Sequence, residues 1–414
     1  QQWGFFPSGS LGWRISEEPF MKSTRNWLDN LKVRASVGSL GNGNVSPYLY
    51  LSTIPIKKTS VILGDALQTY ATTPNIVPNS LTWEKSTTYD IGLDVDMLSN
   101  RLSMVFDYYQ RYTTDMYTVG PTLPAVLGAA TPKGNNAEMK TKGWELAIMW
   151  RDNFILANKP FNYSVKAMLW DSRTWVTKFN NPTKLLSTYY EGQEIGTIWG
   201  YHIEGLFKDQ AEIDAHADQS KLKVSATNIL KPGDLKYIDQ NGDNIIDEKD
   251  EVYLGERYGW QGSPLTLGLN LTLKWKNFTL FAQGTGYFGG SAFASGDYYW
   301  VFGDKKYSEV VRGRWTPETS ATATYPRLTT QTDNHNYRNS DFWLYSTNQF
   351  KLSRLQLTYD LPQQWLRGSF VHSLSVYAYA SNLLTISKER EKLELNTGTT
   401  PQSRYYNIGF KIGF

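Results

Sequence analysis

The sequence contains no cysteine and only four histidines among its 414 residues. Disulfides and thiolate metal sites are therefore excluded. No apolar run reaches the roughly 18 residues that a membrane-spanning helix needs. The mean hydropathy of −0.46 fits that result. A transmembrane β-barrel remains compatible with both values, because only alternate residues of its strands must be apolar.

A large excess of either positive or negative charge is also lacking. The chain has 42 basic and 39 acidic residues, a net charge of +3, so it shows no basic footprint of the kind that nucleic-acid-binding proteins carry. It begins at Gln1 without a methionine or a signal peptide. We therefore expect its targeting information to lie outside this sequence.

Motifs for catalysis are missing as well. No GxSxG, HExxH or phosphate-cradling glycine motif is present, so no enzymatic activity is expected. The histidines stand far apart, outside any metal or nucleophile pattern, and each is interpreted as a polar loop or lumen residue: His202, His216, His335 and His372.

What the chain does have is alternation. Aromatic residues make up 14%, with 27 Tyr and 15 Trp, and there are 33 Gly, a mixture that favours strands and tight turns. In the last segment Tyr406, Ile408 and Phe410 share one face, while Asn407 and Gly409 share the other. The same pattern predicts eleven strands in all, at residues 11–15, 31–37, 89–97, 102–108, 144–150, 163–169, 265–275, 278–282, 355–361, 374–380 and 406–414.

The connections between these strands alternate between short and long. Outer-membrane barrels place short turns in the periplasm and long loops outside. Trp150, Trp275 and Tyr359 stand at short-turn ends, as an interfacial aromatic girdle requires. The short connections lie near residues 98–101, 152–160, 276–277 and 362–372, and the long extracellular loops span about 40–86, 113–141, 179–262, 290–347 and 383–402.

The fold class is thus all-β, an antiparallel transmembrane β-barrel. Eleven strands are an odd number and leave open edges, which lipid does not tolerate because unpaired N–H and C=O groups find no water there. We therefore expect residues 1–414 to supply the C-terminal half of a barrel whose first strands lie upstream. Doubling eleven gives the strand number of the 22-stranded transporters with a plugged lumen.

Six blocks in order resemble the SusC-like (SusC/RagA) branch of the TonB-dependent outer-membrane transporters of Bacteroidetes. This resemblance implies active import energised through TonB and a SusD-like lipoprotein on the extracellular face. It also implies a dimer of transporter–lipoprotein pairs, and a plug domain and TonB-contacting segment in an N-terminal region that these residues do not include. The blocks are GWRISEE (Gly12 to Glu18), LKVRASVGSLGN (Leu31 to Asn42), YDIGLDVDMLSNRLSMVFDYYQR (Tyr89 to Arg111), KGWELAI (Lys142 to Ile148), PGDLKYIDQNGDNIIDEKD (Pro232 to Asp250) and KLSRLQLTYDLP (Lys351 to Pro362).

A loop with the spacing of an EF-hand calcium site follows the Pro232 block. Ca²⁺ takes six to eight hard oxygen ligands from a loop that wraps around it. Asn244 replaces the usual glycine and tolerates a left-handed conformation, while the last ligand is Asp instead of Glu. The alternative is an Asx-rich turn without metal. The predicted ligands are Asp239, Asn241, Asp243, the carbonyl of Ile245, Asp247 and Asp250.

Aromatic residues cluster in two of the long loops. Flat rings stack on the apolar faces of sugars, so these clusters are candidate substrate-binding residues for a glycan. The alternative is that the rings pack the loops together, because long loops need small cores of their own. The candidates are Tyr189 and Tyr190 in one loop and Tyr298, Tyr299 and Trp300 in another.

Several functions fit these features. The leading hypothesis is an outer-membrane importer of an oligomeric nutrient, with an oligosaccharide favoured and an oligopeptide as the alternative within the same family. A different class is a surface glycan-binding or adhesin protein, a soluble β-sandwich or solenoid with calcium-stiffened loops. A passive porin without a plug is a third.

Overall fold

The computed structural model describes residues 3–43, 51–74, 76–77, 81–120, 123–124, 126, 128, 131–222, 229–258, 264–305, 307–330 and 335–414. Strands dominate this part of the chain. They are β1 (Ser8–Arg14), β2 (Leu28–Asn42), β3 (Ile56–Leu63), β4 (Ala66–Ala71), β5 (Glu84–Met97), β6 (Leu102–Val119), β7 (Lys133–Leu156), β8 (Lys159–Lys178), β9 (Ile198–Gly200), β10 (Ile203–Leu206), β11 (Leu235–Tyr237), β12 (Val252–Gly255), β13 (Leu265–Trp275), β14 (Phe278–Phe288), β15 (Ser291–Phe293), β16 (Leu344–Ser346), β17 (Gln349–Asp360), β18 (Ser373–Ile386) and β19 (Tyr405–Gly413).

Helices are few and short. None of those described is long and apolar enough to cross a membrane. The α-helices are α1 (Gln210–Asp214) and α2 (Arg390–Leu395). The 3₁₀ helices are Ile15–Glu17, Pro19–Thr24, Ser220–Leu222, Glu248–Asp250, Glu309–Gly313, Pro317–Thr319 and Gln363–Trp365.

Eleven strands form one sheet in the order β1-β2-β5-β6-β7-β8-β13-β14-β17-β18-β19. The sequence prediction of eleven antiparallel strands is confirmed, and each predicted segment lies within or overlaps one of them. The predicted long loop at 113–141 is shorter, because β6 continues to Val119 and β7 starts at Lys133. The added residues include Thr113, Tyr117 and Val119, which favour strands because branched and aromatic side chains pack well on a pleated surface.

The first compact unit comprises residues 1–148 and 170–195. On the polar face of its sheet the Arg34 guanidinium bridges two carboxylates, with Nη2 lying 2.9 Å from Asp94 Oδ1 and 2.9 Å from Asp107 Oδ1. Gly92 pairs with Arg34 and with Asp107, and a Cβ there would lie 2.4 Å from Asp107 Oδ1. Because Gly92 has no side chain, the Arg34 guanidinium and the Asp107 carboxylate can occupy the space beside it.

The same unit carries a hairpin, β3–β4, inside the long connection between β2 and β5. Its two-residue turn is Gly64 and Asp65, with φ of 62° and 67°. Two successive left-handed residues are the geometry of the tight turns that match strand twist.

The second unit comprises residues 149–169 and 196–414. Aromatic side chains gather at its short turns, as the sequence predicts for a girdle. Trp275 Nε1 donates to the Leu156 carbonyl at 3.2 Å, and the Phe278 and Tyr359 rings lie 4.8 Å apart. Lys276 Nζ lies 4.3 Å from the Trp275 ring centroid. Such amphipathic side chains suit a boundary between lipid and water.

Candidate functional site

Two long connections of the second unit fold together into what we call the loop domain, residues 196–258 and 291–347. One of its cores is built on Leu235, Tyr237 and Ile246, each fully buried. The other core is aromatic and includes Tyr325 and Trp343. These long loops thus have hydrophobic interiors of their own, and the candidate side chains at residues 239–250 and 298–300 lie on this folded framework.

Tyr298, Tyr299 and Trp300 belong to the aromatic core. The Tyr299 side chain is only 7% exposed, and burial is the main cause that raises its pKa to about 12. Trp300 packs on Tyr337 and Trp343 with centroid distances of 6.1 Å and 6.3 Å. A ring that is covered on its faces has no surface to offer to a sugar. This arrangement favours the packing alternative for these three candidates.

Tyr189 and Tyr190 lie in the first unit and are more open. Tyr189 is 42% exposed and contacts Phe179 edge to face at 6.1 Å. Lys184 Nζ lies 5.7 Å from the Tyr190 ring centroid. A surface cavity of about 490 Å³ beside them is lined by Phe179, Lys184 and Glu191, among others. The lining thus combines the Phe179 ring, an ammonium and a carboxylate, and Tyr189 adjoins it through its contact with Phe179.

The predicted calcium loop is held together by its own side chains. Asp239 accepts from the backbone N–H groups of Gly242 at 2.7 Å and Asn244 at 2.8 Å. Desolvation acts to raise the pKa of Asp239, but these donors outweigh it and lower the pKa. Asn241 Oδ1 accepts from the Asp243 N–H, and Asp243 Oδ1 accepts from the Ile245 N–H. Each short polar side chain thus shapes the turn that follows it.

Asp250 closes the loop from within. It is fully buried, its Oδ1 accepts from the Gln240 N–H at 2.8 Å and its Oδ2 from the Asp247 N–H at 2.8 Å. Asn244 has φ of 62°, the left-handed conformation expected for the residue that replaces glycine. Within the described residues, no three His, Asp or Glu side chains are arranged as a metal site. Side-chain carboxylates of the loop thus accept hydrogen bonds from its own backbone, as in an Asx-rich turn.

Asp234 is a buried charged residue that none of the predicted sites includes. Asp234 is fully buried, with Arg327 Nε 2.8 Å from its Oδ1 and His335 Nε2 3.2 Å from its Oδ2. Asn336 donates to Oδ1 at 2.7 Å, and the Lys231 N–H donates to Oδ2 at 2.8 Å. Burial acts to raise the pKa of Asp234, but contacts with His335, Arg327 and Asn336 outweigh it and lower the pKa. The Pro-Gly-Asp segment was the available signal, yet its partners lie about a hundred residues away.

The other histidines have structural roles in the described residues. His202 Nδ1 lies 2.8 Å from Asp341 Oδ2, and the same aspartate accepts from the Ile203 N–H through Oδ1. The His216 ring packs edge to face on Phe207 at 5.2 Å. His372 is exposed at the turn before β18.

The chain is similar to proteins of one known family. The family model described as TonB dependent receptor-like, beta-barrel matches residues 1–282. TonB-dependent receptor P3 of Formosa agariphila is 25% identical over all of this chain and 42% of its own length. SusC of Bacteroides thetaiotaomicron, also a TonB-dependent receptor, is 25% identical over all of this chain and 40% of its own length. The chain therefore spans about two fifths of these relatives.

Solved structures show the same fold. A chain of the RagAB peptide transporter superposes on 99% of this chain and 43% of its own, with a TM-score of 0.74 at 22% identity. The match rules out the soluble β-sandwich and solenoid alternatives. The relatives are receptors and transporters, not enzymes. The chain belongs to the outer-membrane family of TonB-dependent receptor β-barrels, in its SusC-like branch.

Proposed function

We propose that the intact protein is an active importer of an oligosaccharide, energised through TonB. The observation that carries this proposal is the eleven-stranded antiparallel sheet, which runs in chain order with short connections at one end of its strands and long folded ones at the other. It is the pattern of a large outer-membrane barrel with periplasmic turns and extracellular loops. The match to SusC and other TonB-dependent receptors supports energised transport as the activity of the whole protein.

A SusD-like surface lipoprotein is the proposed partner. SusC-like receptors work with such lipoproteins, and the RagAB structures contain a chain with this fold. The long connections of the second unit form a loop domain with its own cores, and a folded surface of this kind can bind another protein. Co-purification of a SusD-like lipoprotein with the tagged intact protein from its native organism tests this partner. Recovery of the transporter alone from mild detergent would contradict it.

The proposed substrate is an oligosaccharide because the exposed Tyr189 lies beside a cavity that also presents Lys184 and Glu191. Aromatic rings and charged hydrogen-bonding groups together suit the apolar faces and the hydroxyls of a sugar. An oligopeptide is the second candidate, since the RagAB structures are described as a peptide importer and transporter. A peptide would use the same charged groups for its termini.

An uptake assay in the native organism separates these candidates. We expect fluorescent oligosaccharides, and not oligopeptides, to accumulate in cells that express the intact protein, and this uptake to stop when the proton-motive force is collapsed or TonB is deleted. Tyr189→Ala should raise the concentration needed for half-maximal uptake, with Tyr307→Ala, at 75% exposure in another loop, as the matched control. Uptake that persists without TonB would refute active import. Uptake of peptides alone would reverse the choice of substrate.

Calcium binding by residues 239–250 is a second proposal. Its support is the set of oxygen donors at EF-hand spacing and the position of Lys249. The ammonium of Lys249 lies 3.9 Å from Asp243 Oδ2 and 3.8 Å from Asp247 Oδ2, so two predicted ligands already face one cation. A bound Ca²⁺ would supply stronger charge at that place and would stiffen the loop.

Titration calorimetry with Ca²⁺ alone tests this second proposal on the intact protein. We expect one site that the double variant Asp239→Asn, Asp243→Asn loses, because both substitutions remove charge without changing side-chain shape. Asp297→Asn, an exposed carboxylate elsewhere in the second unit, is the control. Absence of calcium-dependent heat, or equal binding by both variants, would refute the proposal.

A further inference from the structure

A cavity of about 790 Å³ lies on the first unit, at the ends of β5 and β6 that adjoin long connections. Its lining includes Lys85, Thr87, Tyr89, Asp90, Tyr108 and Tyr112. Register places most of these on one face, because Lys85 pairs with Thr114, Thr87 with Tyr112 and Ile91 with Tyr108. Directly paired residues point to the same side of a sheet.

This side is the apolar face of the sheet. Leu93 and Phe106 pair with each other further along the same two strands, and Val95 pairs with Met104. In an outer-membrane barrel the apolar face contacts lipid. The cavity therefore lies where the apolar band ends on the side of the long loops, which is the level of the outer-leaflet headgroups.

Polar groups in the cavity form a connected row. Gln110 Nε2 donates to the Tyr108 hydroxyl at 3.0 Å, and the Tyr112 hydroxyl donates to Gln110 Oε1 at 3.2 Å. The Tyr89 and Tyr112 rings meet edge to face at 6.2 Å. Fixed rings with hydroxyls at their tips suit the boundary between acyl chains and a polar headgroup.

The charge beside this row is positive. Lys140 Nζ lies 5.1 Å from the Tyr112 ring centroid, which places it on the same face as Lys85. In the described part of the chain, no carboxylate pairs with Lys85 or Lys140. Glu138, two residues before Lys140, is already paired with Lys178 at 3.2 Å. Two ammonium groups therefore flank the cavity, whereas Asp90, a carboxylate in its lining, pairs with Tyr109 and belongs to the opposite face of the sheet.

We propose that this surface binds the phosphorylated headgroup of an anionic glycolipid in the outer leaflet, of the lipid A type. The two lysines contact the phosphates, the tyrosine and glutamine row contacts the sugar hydroxyls, and the acyl chains lie along the apolar face below. Charge complementarity selects this occupant over a zwitterionic phospholipid. The proposal is independent of the substrate that the protein transports.

Native mass spectrometry on the intact protein in neutral detergent tests the proposal, with bisphosphorylated lipid A, monophosphoryl lipid A and phosphatidylcholine as probes. We expect binding to weaken in that order and to weaken with added salt. Each lysine near an anionic surface contributes about a five-fold effect, so Lys85→Gln and Lys140→Gln should each cost about that factor and the pair more than twenty-fold. Lys32→Gln, on the opposite face of the same sheet at the Asp94 pair, is the matched control.

Two results would overturn the proposal. The first is equal binding of bisphosphorylated lipid A and phosphatidylcholine by the wild-type protein, a comparison that needs no variant. The second is a double lysine variant that binds as tightly as the Lys32 control, with both proteins showing the same heat-modifiable migration in gels. Loss of lipid A binding in the double variant, with binding by the Lys32 control unchanged, supports the proposed surface.

Discussion

Replacing Asp234 by Asn tests whether buried charge holds the loop domain together. The substitution keeps the shape of the side chain but removes the negative charge that faces Arg327, whose side chain is only 16% exposed. Breaking a buried ion pair from one side costs about 3–5 kcal/mol, since the remaining charge stays buried without compensation. The amide introduced by Asp234→Asn would also place an N–H group opposite one of the hydrogen-bond donors, such as Asn336 or the Lys231 N–H, that now meet a carboxylate oxygen.

Hydrogen exchange measured by mass spectrometry is the assay, because opening of the loop domain need not unfold the strands. Peptides around residues 231–237 and 335–343 should exchange about two to four orders of magnitude faster in Asp234→Asn, because each factor of ten corresponds to about 1.4 kcal/mol of the cost. Glu309→Gln is the control, since its 3.6 Å pair with Arg312 is exposed on both sides and is worth about 0–1 kcal/mol. A destabilisation by Asp234→Asn below about 1 kcal/mol would refute this reasoning.

The same residue predicts a pH dependence. The pKa of Asp234 is lowered in the folded protein, so the unfolded chain takes up the proton first as the pH falls. An unfolded aspartate has a pKa near 3.9, and the stabilisation is therefore fully present above about pH 4 and is lost as the pH falls through the lower folded value. Exchange in the wild type should approach that of Asp234→Asn only below about pH 4. A difference that already closes between pH 7 and pH 5 would contradict this assignment.

Three further predictions concern packing and hydrogen bonds. Gly92→Ala should destabilise the first unit by about 1–3 kcal/mol in thermal unfolding, because the added Cβ would overlap the Arg34 guanidinium. Gly9→Ala should have no such effect, since nothing lies within 4 Å of a Cβ there, and equal effects of the two variants would show that the ion-pair network does not need the space beside Gly92. Tyr299→Ala should speed hydrogen exchange in the aromatic core, because removal of a buried ring costs about 3–5 kcal/mol, whereas Tyr307→Ala, at an exposed position, should not. Unchanged hydrogen exchange in Tyr299→Ala would make Tyr299 a substrate-binding candidate again. Asp250→Ala in calcium-free buffer should expose residues 239–250 to proteolysis, because it removes the charged acceptor of the Gln240 and Asp247 N–H groups, and a hydrogen bond to a charged group contributes about 1.5–3 kcal/mol. An unaltered cleavage pattern would mean that Asp250 does not close the loop.

Strand positions followed from the sequence because alternation with a period of two is a local property. Each of the eleven predicted segments needs only its own side chains to show which residues share a face. The positions of Arg34 and Asp94 on the polar face were readable in that way. The ends of β6 and β7 were not, because a strand can continue into polar residues wherever a neighbouring strand supplies hydrogen bonds.

The aromatic candidates show where local reasoning stops. Tyr189 and Tyr299 stand in similar aromatic-rich loop segments, yet one is 42% exposed and the other 7%. Composition could not separate them, because burial depends on whether a distant segment covers the ring. For Tyr299 that segment includes Tyr325, whose hydroxyl donates to the Tyr299 carbonyl at 2.7 Å.

The all-β class, the eleven strands, their faces and the resemblance to SusC-like receptors can be read from local patterns, because alternation, turn residues and ordered motifs are properties of neighbouring residues in the chain. Which loop residues are buried and which are exposed depends instead on the three-dimensional fold. Asp234 meets Asn336 across about a hundred residues, and the lysine and tyrosine surface on β5, β6 and β7 exists only through strand register. Contacts between segments distant in sequence carry no local signal, so folding alone brings such side chains together.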